Sequence, residues 1–287
     1  MRSIAKPMLW LSLLFAAATP ALAQGSTGAS DNDIDIGGDR ITIGAGLAVT
    51  PSYIGSDSTI ALPTLAIQGQ VSGLSFNSQG TAFYLDAIPD SGKPGWKLQL
   101  GPLAALRLDR NSMIDDSAVA ALGKRRKALE LGGWAGIQRT GVVTSPYDTL
   151  SFGLSYQHDV SGAHRSAIVS PSIDYATPLS HTAYASISLS ADHVGRGFGR
   201  YYYDVDAAGS AASGLPAYTG ADKAGWKDWN ASMLLAHSLT GNLTHGLGVF
   251  VTGGYGRLLG AYRRSPIVDM AGSPNQWSGA VGLAYSF

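Results

Sequence analysis

The chain closes on Gln276-Trp277-Ser278-Gly279-Ala280-Val281-Gly282-Leu283-Ala284-Tyr285-Ser286-Phe287. Trp277, Gly279, Val281, Leu283, Tyr285 and Phe287 fall on one set of alternate positions, and Gln276, Ser278, Ala280, Gly282, Ala284 and Ser286 on the other. A period of two sends successive side chains to opposite faces of a strand. One face here is apolar and aromatic, the other small or polar, which is the dyad of a strand in a lipid-facing β-barrel.

The ending on an aromatic residue resembles the C-terminal strand that outer-membrane barrels present to the barrel assembly machinery, so Tyr285 and Phe287 are read as an assembly signal. The other terminus agrees. Arg2 and Lys6 supply positive charge, residues 8–18 form an apolar stretch too short to cross a bilayer as a helix, and Ala21-Leu22-Ala23 offers small residues for cleavage. Residues 1–23 are therefore expected to be a cleaved secretory signal peptide, and 24–40 a flexible periplasmic segment ahead of a barrel over 41–287. The sequence contains no cysteine. Neither a lipoprotein anchor nor a disulfide is then available, and stability must come from closed strand pairing.

Lys plus Arg and Asp plus Glu are 20 each, a formal charge of zero, which lacks the electrostatic footprint of a nucleic-acid binder. Charged residues make up only 14% of the chain against 45% hydrophobic ones, yet after the signal no long charge-free apolar run appears. The apolar residues sit at alternate positions instead, with Gly, Ser and Ala between them. A soluble β-sandwich also alternates; the two termini argue for the membrane barrel.

Strand one is expected over 41–50. The same period recurs over 60–68, 71–77, 81–88, 96–109, 129–138, 149–157, 166–176, 182–193, 226–238, 245–257 and 276–287. The count is about twelve, with ten as the alternative because 71–77 is short. An even, antiparallel, up-and-down barrel needs tilted strands of about 9 to 11 residues. With both ends periplasmic, the long connections 111–127, 194–225 and 258–275 all fall on extracellular parity. The shorter connections 89–95, 139–147, 177–181 and 239–244 fall on periplasmic parity, and each carries Pro or Gly. Trp96, Tyr147, Trp226, Trp229, Tyr255, Trp277 and Tyr285 lie near strand ends, where amphipathic rings suit the headgroup layer.

Five segments in order resemble a family. Tyr53-Ile54-Gly55-Ser56 follows strand one, and Tyr202-Tyr203-Asp204-Val205 leads to Ser213-Gly214-Leu215-Pro216-Ala217-Tyr218. After Gly254-Tyr255-Gly256-Arg257-Leu258-Leu259-Gly260 come Ser265-Pro266-Ile267-Val268 and Asn275-Gln276-Trp277-Ser278-Gly279. Together they are similar to the MipA/OmpV family of outer-membrane proteins across the mature chain, with Arg263 and Arg264 as a departure from its pattern. The resemblance implies a non-enzymatic outer-membrane scaffold joining a lytic murein transglycosylase to a murein synthase. Porin-like and adhesive surface proteins in the same family supply the alternative, a passive channel or ligand-binding barrel.

Candidate sites outside the motifs are few. The six histidines show neither the i, i+4 nor the His-x-His spacing of a compact metal site, and Glu130 is the lone glutamate. No metal and no cofactor is expected. Asp192 and His193 are adjacent and so point to opposite faces unless a bulge intervenes, which weakens a protease-like reading with Asp115 and Asp116. His164-Arg165-Ser166 has the spacing of a hydrolytic couple without an identifiable acid. Lys124, Arg125, Arg126 and Lys127 form the one dense basic run, a candidate contact for lipopolysaccharide phosphates, with a solvated loop neutralised by Asp115 and Asp116 as the bland reading. Finally, the Tyr- and Gly-rich loop 194–225 is expected to fold inward and plug the lumen, its tyrosines using lumen hydrogen-bond partners.

Overall fold

The computed structural model describes residues 38–89 and 95–287; the expected signal peptide and most of the segment 24–40 lie outside them. Twelve antiparallel strands run in chain order and close on themselves. They are β1 (Arg40–Pro51), β2 (Thr59–Val71), β3 (Leu74–Gln79), β4 (Ala82–Asp86), β5 (Trp96–Arg107) and β6 (Ala128–Thr140). The second half comprises β7 (Thr149–Asp159), β8 (Ala167–Pro178), β9 (Ala183–Val194), β10 (Gly225–Ser238), β11 (Gly246–Leu258) and β12 (Asn275–Ser286). The ten-strand alternative is thereby removed.

Closure depends on the terminal strand. β12 pairs β11 from Gly246↔Ser286 to Arg257↔Asn275 and β1 from Thr42↔Ser286 to Val49↔Gly279. The Phe287 amide donates to the Ile41 carbonyl at 2.9 Å, and its ring meets Tyr285 edge-on at 4.8 Å. This pairing leaves neither terminal strand as an open edge, as a hydrocarbon environment demands of a β-sheet. The dyad is plain in β7. Leu154 is 54% exposed on the outer wall while its neighbour Ser155 is 9% exposed on the inner one.

One boundary differs from the sequence reading. The strand expected over 71–77 is shifted: β2 continues to Val71, Ser72 and Gly73 turn with φ of 52° and 81°, and β3 runs from Leu74 to Gln79. Two consecutive positive φ values mark the tight hairpin turn whose twist matches the strands it joins.

The three longest connections share one end of the barrel. At the end that holds both barrel termini, 72–73, 141–148, 179–182 and 239–245 are compact turns. At the opposite end, 108–127 carries α1 (Ser117–Ala121), 195–224 carries α2 (Arg196–Tyr203) and α3 (Ala207–Ser213), and 259–274 carries α4 (Gly260–Arg263) and α5 (Pro266–Asp269). Trp226, Trp229 and Trp277 are exposed near the long-loop end, with Tyr255 stacked between the last two at 5.4 and 4.7 Å. Trp96, Tyr285 and Phe287 form the matching set at the other end. Tyr147 departs from the expected belt and lines the lower lumen instead.

Candidate functional site: a capped lumen

The long connections turn inward over the barrel mouth. Phe198 is fully buried, and Tyr202 and Tyr203 are each 1% exposed, packed with Ile168, Val194, Leu258, Tyr262 and Val268. A second buried group joins Tyr53, Val119, Val205, Leu215 and Ile267. These two clusters seal the long-loop end with an apolar core of their own. Loop 194–225 thus plugs the lumen as expected, but by packing: the Tyr202 and Tyr203 hydroxyls have no hydrogen-bond partner among the described residues. Burial accordingly pushes both phenols well above the ordinary tyrosine value.

The motif residues, far apart in the chain, meet in this cap. The Tyr53 hydroxyl donates to the Ala271 carbonyl at 2.6 Å, and the Gly55 amide donates to Gln276 Oε1 at 2.8 Å. Gln276 Nε2 returns a hydrogen bond to the Ser56 carbonyl at 3.1 Å. Gly55 has φ of +105°, and a Cβ there would lie 2.7 Å from Val268 Cγ2, so the turn requires glycine on both counts. Ser265 Oγ donates to the Tyr203 carbonyl at 2.5 Å, and the Tyr218 hydroxyl to the Ala261 carbonyl at 2.6 Å. Pro266 opens α5, where its missing N–H costs nothing. Gly214 closes α3 in the left-handed region, while Ser213 Oγ donates to the Gly209 carbonyl and accepts from the Leu215 amide.

Beneath the cap lies an ionic cluster that the sequence reading did not find. Glu130, fully buried, accepts from Arg107 Nε and Nη2 at 2.7 and 3.0 Å, and its Oε1 lies 2.9 Å from His164 Nε2. Lys227 bridges Asp192 at 3.0 Å and Asp228 at 2.9 Å. Phe198 closes the cluster from above, its ring centre 5.1 Å from the Arg107 guanidinium and 5.6 Å from Lys227 Nζ. Arg110, 1% exposed with φ of 52°, donates Nη1 to the Tyr202 carbonyl at 2.8 Å. Burial, helped by nearby Arg125, lowers its guanidinium to about 10. Such buried charges hold a unique geometry, because removing one partner leaves the other uncompensated. The signal available in the sequence was charge at inward strand positions: Arg107, Glu130 and Lys227 all occupy the lumen face near strand tops.

The remaining candidates are distributed differently. His164 has a carboxylate partner that the sequence did not identify, Glu130, but no hydrogen bond joins His164 to Ser166 among the described residues. Asp192 faces the lumen, accepting from Ser170 Oγ at 2.6 Å, while His193 stacks edge-on against the half-exposed outer ring of Trp226. Asp116 caps α1 by accepting from the Val119 amide. Within that run, Arg125 lies over the Tyr201 ring and the Arg126 amide donates to the Tyr201 hydroxyl, while Lys124, Arg126 and Lys127 stay exposed at the long-loop end.

Below the cluster a cavity of about 410 Å³ is walled by Ser155, Ser170, Ser172, Ser188, Ser190 and Asp174, and a second of about 170 Å³ lies nearer the termini. A closed twelve-strand antiparallel barrel with apolar outer wall, aromatic borders and a polar lumen is an outer-membrane-type β-barrel. The chain belongs to the family described as MltA-interacting protein MipA, whose model matches residues 43–287. No curated protein matches it by sequence. Among solved structures it is similar to an outer membrane channel from Pseudomonas putida F1, at 10% identity and TM-score 0.42, over 91% of this chain and 100% of that one. The CymD monoaromatic hydrocarbon channel aligns at 9% identity and TM-score 0.39, over 86% of this chain and 88% of that one.

Proposed function

We propose that this protein is a non-enzymatic outer-membrane scaffold, exported through a cleaved signal peptide, that holds a lytic murein transglycosylase of the MltA kind near a murein synthase. The observation that carries this reading is the family match across the barrel. The cap adds support, because a mouth filled by Phe198, Tyr202 and Tyr203 over paired charges is a poor route for bulk solute. In this reading the long loops face outward and the partner docks on the compact turns. Exposed Lys124, Arg126 and Lys127 then meet lipopolysaccharide phosphates. Co-purification of the detergent-solubilised barrel with periplasmic murein enzymes tests it: specific retention of a transglycosylase is expected, and its absence in the presence of solute-dependent conductance favours the channel reading.

A further inference from the structure

The barrel wall is incomplete on one side. β2 pairs β1 from Arg40↔Gln70 to Pro51↔Thr59, but β3 pairs β2 only from Gln68↔Asn77 to Val71↔Leu74. β4 pairs β5 only from Ala82↔Ala105 to Tyr84↔Leu103. The β3–β4 hairpin therefore leaves the upper part of β2 unpaired on this side, although its tip, anchored where the Leu106 amide donates to the Thr81 carbonyl at 3.1 Å, reaches the top of β5. Beyond that tip no strand pairs with residues 59–66 of β2 on this side, and β5 itself ends at Arg107. The rim is completed higher up, where the Ile54 amide donates to Asp109 Oδ1 at 2.9 Å. The gap is thus a bounded window in the wall.

The sequence of β2 is adapted to this edge. The Ile67 amide points toward the hairpin and is satisfied by Ser78 Oγ at 2.9 Å. Alternate residues of a strand share that direction, so the amide positions of Leu65, Pro63 and Ala61 face the window. Pro63 has no N–H to leave unpaired there, and proline within a sheet favours edges and bulges. The window opens onto the cavity of about 410 Å³, which Ile60, Leu62, Thr81, Leu106 and Met113 line on this side. Beside it the outer wall is apolar, with Leu65 62% and Phe83 43% exposed. A molecule reaching this opening arrives from lipid, whereas the mouth above is sealed.

Past the apolar rim the chemistry changes. Asp174 lies on the cavity wall, accepting from Ser172 Oγ at 3.1 Å and Ser188 Oγ at 2.5 Å. Unlike Asp192 and Asp228, it has no cation within ion-pair distance among the described residues. We propose that the window beside the unpaired edge of β2, above the β3–β4 hairpin tip, admits single-chain amphiphiles with a cationic head group from the surrounding lipid, the head group seating at Asp174 and the alkyl chain lying across the rim.

The test uses the full barrel in lipid nanodiscs, titrated with dodecyltrimethylammonium and, separately, dodecyl sulfate, with empty nanodiscs as reference and heat-modifiable migration as the folding check. Saturable binding of the cationic probe alone is expected. Asp174→Asn should weaken it by about tenfold, between the effect of an exposed and of a fully buried charge pair. Thr81→Trp, at the hairpin tip, should slow association measured by stopped flow while keeping the barrel folded. Equal uptake of both probes, undiminished binding by Asp174→Asn, or an unchanged association rate with Thr81→Trp would each overturn the proposal.

Discussion

Single residues carry two separable jobs, cap packing and turn anchoring. Gly199 sits in α2 where a Cβ would lie 2.0 Å from the Ala221 carbonyl oxygen, and backbone cannot yield as a side-chain tip does. Gly199→Val should destabilise the folded barrel by about 1–3 kcal/mol through overpacking, and should loosen the cap first, seen as faster proteolysis within 195–224. Intact protease resistance would show that the cap tolerates a shift the geometry forbids. At the opposite end, buried Asp148 accepts from the amides of Val142, Val143 and Thr144 at 2.6, 2.8 and 2.5 Å and from the Tyr175 hydroxyl at 2.9 Å. Burial works against its charge, but these donors outweigh it and hold the carboxyl far below the ordinary aspartate range. A depressed value contributes stability that is full above the unfolded-state value of about 4 and fades as pH falls through the folded one. Asp148→Asn should cost about 1–3 kcal/mol at neutral pH, and the deficit relative to the parent should shrink as acid protonates the parent carboxyl. A deficit that grows on acidification would reverse the sign of this argument.

Elements were legible in the sequence to the extent that lipid imposed the dyad on them. Full-height strands such as β7 and β12 expose an apolar residue at every second position, and their limits fall within a few residues of the periodicity. β3 escaped because Ser75, Asn77, Ser78 and Gln79 give it little alternation to read, and because Ser72 and Gly73, the residues that set its start, lay inside the segment taken as strand. The register of β7 makes a sharp prediction. Leu154→Arg places charge in the lipid-facing band and should cost about 2–4 kcal/mol near the bilayer middle, whereas Ser155→Arg enters the polar cavity and should cost less. Folding titrations in lipid vesicles distinguish them, and equal losses would mean that the strand is turned over. The terminal strand makes another. Removing Phe287 deletes the hydrogen bond to Ile41 and the ring packed on Tyr285, and should reduce the fraction inserted into outer membranes, scored by heat-modifiable migration.

At the scale of the whole molecule, the barrel is a short-range structure and the cap a long-range one. Apart from the closing pair β1–β12, each strand pairs its chain neighbour, so local pattern sufficed to anticipate it. The cap joins residues 53–56 to 265–276, Arg107 to Glu130, Glu130 to His164 and Arg110 to Tyr202, contacts that no local period encodes. Family resemblance singled out Tyr53, Gly55, Tyr203, Tyr218 and Ser265 without saying that they meet; the ionic cluster beneath them had no motif at all. Orientation follows from the same asymmetry between ends. In a chain without cysteine, Ala212→Cys in α3 should react with a membrane-impermeant thiol reagent on intact cells, and Asn242→Cys only after the outer membrane is opened; the reverse would turn the long loops toward murein. The central claim is that the motif-built cap seals the barrel, and conductance across a planar lipid bilayer tests it most directly. The parent protein should show no steady open level, and replacing residues 196–222 by a short Gly-Ser linker should produce one. A parent protein that conducts steadily, at a level unchanged by that replacement, would contradict the account.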